Sequence, residues 1–245
     1  MQKTLIIIPS RLAATRLPGK PLLKINGISI ITHVYKKALE CNLGEVFVAT
    51  EDQEILDDIK SNGGEALLTK KAKTGTDRVL EAFKKLNRAD VDYILNIQGD
   101  EPMISTNDII NLNSNILKNN SEMGSLGCKL KNNEQLNDES IVKVKTLKKI
   151  EDNSVSEALG FFRKTDDFKN QNIYHHIGVY QYKIEILKKF VSFEQTENEK
   201  KYKLEQLRAL ENNIQIDISL AKSSPIGVDT KEDFEKVRNL LEIKK

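Results

Sequence analysis

An uninterrupted apolar run, Leu5-Ile6-Ile7-Ile8, opens the chain and stops abruptly at Pro9-Ser10-Arg11. Such a run leaves no polar face for water, so it predicts a strand buried on both sides, as in a parallel sheet covered by helices. Open α/β sheets bind ligands beyond the carboxyl ends of their strands. The loop at the end of this strand is cationic, holding Arg11, Arg16 and Lys20 between Pro9 and Lys20. Guanidinium groups fork onto phosphate oxygens and an ammonium adds a point charge, so the loop suits a triphosphate. The Pro18-Gly19 turn brings Lys20 back toward the strand end. The plainer alternative is a surface loop with solvated cations.

Two familiar phosphate loops fail on spacing. A dinucleotide fingerprint needs G-x-G-x-x-G directly after the strand, yet the first glycine here is Gly19. A Walker loop needs Ser or Thr after Gly-Lys, and Gly19-Lys20 is followed by Pro21. Phosphate would therefore be gripped mainly by side chains.

The rest of the chain keeps the strand-helix alternation. Ser29 reads as the N-cap of a helix carrying Ile30, Ile31, Val34, Ala38 and Leu39, and Glu45 to Ala49 as the next strand. Ile55, Leu56 and Ile59 mark a helix closed by Gly63-Gly64, Ala66 to Leu68 a short strand, and Val79, Leu80 and Phe83 a third helix. Tyr93 to Ile97 is another buried strand, emptying into Gln98-Gly99-Asp100-Glu101-Pro102, and a helix around Ile109 to Leu117 comes next. The pattern then turns to extended pieces at Ser125 to Leu130, Ile141 to Leu147, Ala158 to Phe162 and His176 to Tyr182. In the second of these, lysines between apolar residues suggest an antiparallel or edge element. Leu204, Leu207 and Leu210 give a helix, Ile214 to Leu220 a last strand, and Thr230 with Asp233 a capping-box-like start to a final helix through Leu241. The polar stretch Lys164 to Asn172 reads as an inserted loop suited to a lid or dimer contact.

Length and charge narrow the partners. At 245 residues and 39% hydrophobic, the chain fits one large α/β domain with an insertion. Its 38 basic and 36 acidic residues nearly cancel, so no global field favours nucleic acid or a membrane surface. Cys41 and Cys128 lack metal-type spacing and read as buried thiols, and no apolar run is long enough for a signal or a membrane span. The expected compartment is the cytoplasm.

A triphosphate reaction needs divalent metal to offset charge, and hard Mg²⁺ takes a few carboxylates plus phosphate oxygens. Asp100 after one strand and Asp229 between the last strand and last helix are the candidates, although each could also be only a turn residue. His33 lies in an apolar helix and reads as packed. His175 and His176 are adjacent, so in a strand at most one faces a pocket; His176 shares a face with Tyr180 and Tyr182.

Taken together, these motifs resemble the 3-deoxy-manno-octulosonate cytidylyltransferase family. The loop from Pro9 to Leu22 is similar to its activating signature, Gly75-Thr76-Asp77-Arg78 to its nucleotide-side turn, and Asn96 to Met103 to its metal motif. His176 to Tyr180, Leu204 to Arg208 and Gly227 to Asp233 succeed one another in the family's order. The resemblance implies a Rossmann-like nucleotide-diphospho-sugar transferase fold: a mostly parallel central sheet flanked by helices, with a smaller mixed-strand insertion. It implies one nucleotidyltransferase domain over 1–245 with a dimerisation and sugar-side region around 155–195, a homodimer, and Mg²⁺. By matched position, Pro9, Arg11, Arg16, Lys20, Thr76, Arg78 and Gln98 would bind CTP, and Asp100 and Asp229 the metal. Gln98, Arg163, His176, Tyr180, Glu205 and Gln206 would bind the acidic eight-carbon keto-sugar KDO. The product, CMP-KDO, would serve lipopolysaccharide biosynthesis.

One stretch departs from the family. Where it carries Tyr-Phe-Ser-Arg-x-x-Ile-Pro-Trp/Phe, this chain has Gly160 to Phe168, keeping Arg163 but losing the serine and the Ile-Pro pair. That leaves room for another acidic sugar, 8-amino-KDO or a sialic acid. A sialic-acid enzyme resembles Arg-x-x-Ser-Lys in its first loop, whereas Thr15-Arg16 and Gly19-Lys20-Pro21-Leu22 stand here. A non-catalytic nucleotide-binding module would be expected to have lost one metal aspartate, and a nucleic-acid binder to show an aromatic stacking platform.

Overall fold

The opening apolar run lies within β1 (Thr4–Ser10), and all seven of its residues are buried. The computed structural model describes residues 2–13, 16–164 and 172–242. Its chain divides into two units, residues 1–106 with 225–245 and residues 107–224. These boundaries enclose more than the 155–195 region to which the sequence points.

In the first unit, β1 leads into a short 3-10 turn at Lys20–Leu22 and a small hairpin, β2 (Lys24–Ile25) and β3 (Ile28–Ser29). Then come α1 (Ile30–Glu40), β4 (Val46–Thr50), α2 (Gln53–Ser61), β5 (Ala66–Leu68), α3 (Gly75–Leu86) and β6 (Tyr93–Asn96). The strands lie in the order β5-β4-β1-β6, parallel throughout. The chain runs outward from β1 to β4 and β5, then returns to the other side of β1 as β6. The order therefore reverses between β1 and β6, and their carboxyl ends frame the crevice where such sheets take ligands.

Local chemistry explains these helices. Ser29 caps α1, its Oγ accepting from the Thr32 amide, while Ile30, Ile31, Val34 and Ala38 turn into the core. Thr74 and Asp77 form a reciprocal capping box at α3. The Gly75-Arg78 turn is legible in the sequence; this cap beside it is an addition from the structure.

The second unit opens with α4 (Thr106–Asn119), most of which belongs to it, and then β7 (Met123–Lys129), α5 (Asn133–Asn137), β8 (Lys143–Thr146), β9 (Val155–Phe162) and β10 (Ile173–Lys183). It continues through α6 (Ile184–Ser192), α7 (Glu197–Tyr202), α8 (Gln206–Glu211) and β11 (Ile216–Ala221). Its strands pair in the order β10-β7-β11-β9-β8, and β8 also pairs with β10, so the pairing forms a closed circuit. Only β7 with β11 is parallel; the other pairs are antiparallel. The mixed-strand character is as expected. β8 is antiparallel but not an edge, since β9 and β10 flank it, and Lys143 is accordingly buried rather than solvated. Residues 165–171, within the stretch read as a lid loop, lie outside the described residues.

The chain returns to the first unit with α9 (Lys231–Glu242), started by a capping box in which Thr230 and Asp233 exchange side-chain and amide hydrogen bonds of 3.0 and 3.1 Å. Val228 and Val237 join Ile25 and Ile30 in a buried cluster against which Leu17, Leu23 and Phe234 pack. The loop after β1 and the segment before α9 thus share one apolar anchor.

Close approach at the ends of β1 and β6 requires Gly99. A Cβ there would stand 2.9 Å from the Pro9 carbonyl oxygen and 2.9 Å from Ile31 Cδ1. Gly99→Ala is expected to cost about 1–3 kcal/mol in urea denaturation. Gly160→Ala, with no atom within 4 Å of the added Cβ, should stay within about 0.5 kcal/mol of the parent. Equal effects of the two substitutions would contradict this packing account.

Candidate functional site

At the β1/β6 switch point lies a cleft of about 330 Å³ lined by Pro9, Arg11, Arg16 and Lys20 from the first loop, Thr74, Gly75 and Arg78 from α3 and its cap, Gln98 to Asp100 after β6, and Asp229 before α9. The first loop is closed on itself by the Gly19 amide donating to the Leu12 carbonyl at 3.1 Å, with Gly19 in the left-handed conformation at φ 70°. The Leu12 amide is tied in turn to Asp52 Oδ2 at 2.7 Å. As expected from Pro18-Gly19, this fold-back returns Lys20 to the strand end.

There the Lys20 ammonium lies between both candidate acids, 2.6 Å from Asp100 Oδ2 and 2.9 Å from Asp229 Oδ1. Arg16 Nη2 reaches Asp229 Oδ2 at 2.8 Å. The loops carrying the acids are joined by the backbone, the Val228 amide donating to the Asp100 carbonyl at 2.9 Å. Burial pulls the Lys20 pKa down, but Asp100 and Asp229 more than reverse this and hold it above the ordinary lysine value. Burial pushes Asp229 up, and Lys20 and Arg16 together carry it below the usual carboxylate value.

Glu101 belongs beside this pair, and sequence reasoning missed it although it stands inside the Asn96 to Met103 motif. Its carboxylate packs on Gly227, where a Cβ would fall 3.0 Å from Oε1, and its Oε2 is buried with no hydrogen-bond partner. Burial, then the charges of Asp100 and Asp229, push its pKa up to about 8. Burial first, and the two neighbouring acids second, thus disfavour the charged form of this carboxyl.

The donor set fits a hard divalent cation. Two carboxylate oxygens already converge on one cationic nitrogen, and a buried acid beside them lacks a partner. Among the described residues no cluster of three or more His, Cys, Asp or Glu makes an all-protein cage. Mg²⁺ commonly binds in this manner, through one or two carboxylates with substrate phosphate and water completing the shell.

The nucleotide-side candidates divide. Pro9, Arg11, Arg16, Lys20 and Gln98 line the cleft, and Gln98 Nε2 donates to Asn96 Oδ1 at 3.2 Å. Arg78 also lines it but is 3% exposed, its Nη1 donating to Thr69 Oγ1 at 2.9 Å and its Nη2 lying 3.2 Å from Glu51. Thr76 is likewise buried on α3. In this structure Arg78 ties α3 to the segments after β4 and β5.

The sugar-side candidates lie in the second unit. His176 packs edge-on to Phe161, with ring centroids 4.9 Å apart, and lies 5.5 Å from Tyr180. The β10–β7 pairing slips between Ile177 and Tyr180, yet these two rings remain neighbours as the face pattern predicts. Ser125 Oγ lies 2.8 Å from the Val179 carbonyl oxygen, 3.3 Å from that of Ile177 and 2.9 Å from His176 Nε2, so the imidazole is held in a buried polar cluster. Tyr180 is held well above the ordinary tyrosine value by burial, then by Tyr182 and Glu205. Gln206 is buried at the start of α8. Arg163 is turned onto backbone: Nη1 donates to the Glu139 and Ser140 carbonyls at 3.1 and 3.3 Å, and Nε to that of Tyr202 at 3.5 Å.

Burial depresses the His176 pKa to about 3, with a smaller effect from His175. The unfolded chain therefore takes up this proton first as pH falls, so native stability is complete above about pH 6.5 and drains away below it. Each pH unit between about 6 and 4 should remove about 1.4 kcal/mol through this group. In urea denaturation, His176→Asn should show a pH slope shallower by about one proton than the parent; an unchanged slope would show that His176 protonates freely in the native state.

A model of the Cytidylyltransferase family matches residues 5–218. The 3-deoxy-manno-octulosonate cytidylyltransferase of Bartonella bacilliformis is 39% identical over 242 residues, 98% of each chain, and that of Rhodopseudomonas palustris 39% identical over 240 residues, 97% of each. Among solved structures, a CMP:2-keto-3-deoxy-manno-octonic acid synthetase complexed with CTP superposes with a TM-score of 0.89 at 32% identity, covering 100% of both chains. Among the described residues, no helix is long and apolar enough to cross a membrane.

Proposed function

We propose that the chain, which belongs to the 3-deoxy-manno-octulosonate cytidylyltransferase family, transfers the cytidylyl group of CTP to KDO, releasing pyrophosphate and supplying CMP-KDO for lipopolysaccharide biosynthesis. The observation that carries this reading is the convergence of Asp100 and Asp229 on one cation beside the Arg11, Arg16 and Lys20 loop. In the reaction the anomeric hydroxyl oxygen of KDO bonds to the α-phosphorus of CTP, the bond from that phosphorus to the bridging oxygen of pyrophosphate breaks, and the hydroxyl proton passes to solvent.

Mg²⁺ held by Asp100 and Asp229 with substrate oxygens would act as a Lewis acid and lower the pKa of the attacking hydroxyl. Arg11 and Arg16 fork onto the β- and γ-phosphates and offset the charge that grows on the leaving pyrophosphate. Lys20 serves both sides: its ammonium neutralises the acid pair, and arriving phosphate offers it alternative oxygens, freeing the carboxylates for the divalent ion. Gln98 and Pro9 bound the nucleotide from the strand ends. Arg163, His176, Tyr180, Glu205 and Gln206 bind the sugar acid, the guanidinium taking its carboxylate. Arg78 and Thr76 support the nucleotide side by holding α3 in place. The family resemblance makes the working form a homodimer, and the free, buried Cys41 and Cys128 suit a reducing compartment such as the cytoplasm.

A pyrophosphate-release assay tests this. With CTP, Mg²⁺ and KDO, Asp100→Asn and Asp229→Asn should each lower kcat by at least about 100-fold. Near-parental turnover in both would refute the acid pair. Lys20→Met should raise the KM for CTP more than that for KDO. In a panel of KDO, 8-amino-KDO and a sialic acid, KDO should give the highest kcat/KM; a preference for either other sugar would reassign the substrate without touching the reaction type.

A further inference from the structure

The strand β8 carries a lysine where a half-buried strand would place a hydrophobe. Lys143 is 0% exposed, and its cross-strand partners Phe162 and His175 close over it from both sides. Burying an ammonium costs several kcal/mol unless its donors are satisfied, and among the described residues no carboxylate pairs with this one. Its Nζ donates instead to two backbone carbonyls, Asp138 at 2.5 Å and Arg163 at 2.6 Å. A methionine would fill the same volume at lower desolvation cost. What the ammonium does that a methyl cannot is tie together two stretches of main chain.

Those two stretches are linked a second time by the Arg163 side chain, whose Nη1 donates to Glu139 and Ser140 in the turn that starts at Asp138. Ser140 in turn stiffens that turn, its amide and hydroxyl both donating to Asp138 Oδ1 at 2.8 and 2.6 Å. Lys143 thus grips the Arg163 main chain from one side and, through the turn, the carbonyls that hold the Arg163 guanidinium from the other. Nη1 and Nε are committed to backbone, while Nη2 makes no hydrogen bond among the described residues. Among the described residues Nη2 is thus the one uncommitted nitrogen of this guanidinium. Burial lowers the Lys143 pKa, as expected for an ammonium held by neutral carbonyls, with Arg163 adding to the effect and Asp138 and Glu139 opposing it.

We propose that Lys143 is a positioning residue that fixes Arg163 and thereby sets the affinity for the carboxylate of the acidic sugar. This rests on the reading of Arg163 as the partner of that carboxylate. It also bears on the altered stretch around Arg163: the arginine is aimed by the buried lysine and the 138–140 turn, so its orientation does not need the family's serine and Ile-Pro pair.

The test is a set of steady-state constants for Lys143→Met, Arg163→Ala and the double variant, each first shown to melt cooperatively. Lys143→Met should raise the KM for KDO about 10-fold, the scale of one charge-assisted hydrogen bond, and leave the KM for CTP within about twofold. The double variant should be no worse than Arg163→Ala alone, because the lysine acts through the arginine. If the methionine variant does not fold, Lys143→Gln, which keeps a donor, should show the same split at a smaller fold-change. A raised KDO KM in Arg163→Ala with an unaffected Lys143→Met, additive effects in the double variant, or an equal rise in both KM values would overturn the proposal alone. An unchanged KDO KM in Arg163→Ala would overturn the carboxylate reading and the proposal with it.

Discussion

A single ammonium group, Lys20 Nζ, donates to two carboxylates, Asp100 and Asp229, that lie far apart in sequence, and the candidate site is organised around that contact. Three independent backbone features deliver it. The Gly19 amide folds the first loop back to Leu12, the Val228 amide joins the segment before α9 to Asp100, and Gly99 lets the end of β6 press against Pro9. Apolar packing fixes the same geometry, since Leu17 from the loop and Val228 beside Asp229 rest on one cluster with Ile25, Ile30 and Val237. The site is thus positioned by burial and main-chain bonding, while the charged groups themselves remain partly open to water. Asp229 keeps a side-chain exposure of 48% and Arg16 of 66%. Ion pairs this exposed add little to stability, so their value lies in chemistry.

The charges at the cleft bear on the proposal that a cation and a polyphosphate would bind there together. Asp100 and Asp229 come together at Lys20 and Arg16, and the buried Glu101 beside them is held toward its neutral form, its pKa raised to about 8 by burial first and by those two charges second. On the proposed reading, a divalent ion held by Asp100 and Asp229 would add positive charge here, and a triphosphate would supply it with further oxygens while drawing on Arg11, Arg16 and Lys20. Each would then make the other easier to bind, as a metal-assisted nucleotidyl transfer without a nucleophilic side chain requires.

Much of this was legible in the sequence where a local rule sufficed. The Leu5 to Ile8 run, the Ser29 cap, the Pro18-Gly19 turn and the Thr230/Asp233 box each have a short-range cause, and each forms as read. Asp100 and Asp229 stood out because a glycine-marked turn comes after each preceding strand. The features that escaped notice depend on tertiary neighbours. The sequence reading leaves out α6, which buries Ile186, Leu187 and Phe190. Lys143 looked like the polar side of an edge strand because nothing local announces that β9 and β10 close over it. Arg78 lines the cleft, and only the folded chain shows that Thr69 and Glu51 also stand against its guanidinium. Glu101 was hidden by its own motif, overshadowed by the aspartate before it.

The most direct test of the acid pair is a crystal structure of the chain with CTP and Mn²⁺, read by the anomalous signal of the metal. The account predicts a Mn²⁺ peak between the carboxylates of Asp100 and Asp229, with the Lys20 ammonium moved onto phosphate oxygen. A metal peak away from both carboxylates, with Lys20 still bridging them, would contradict it.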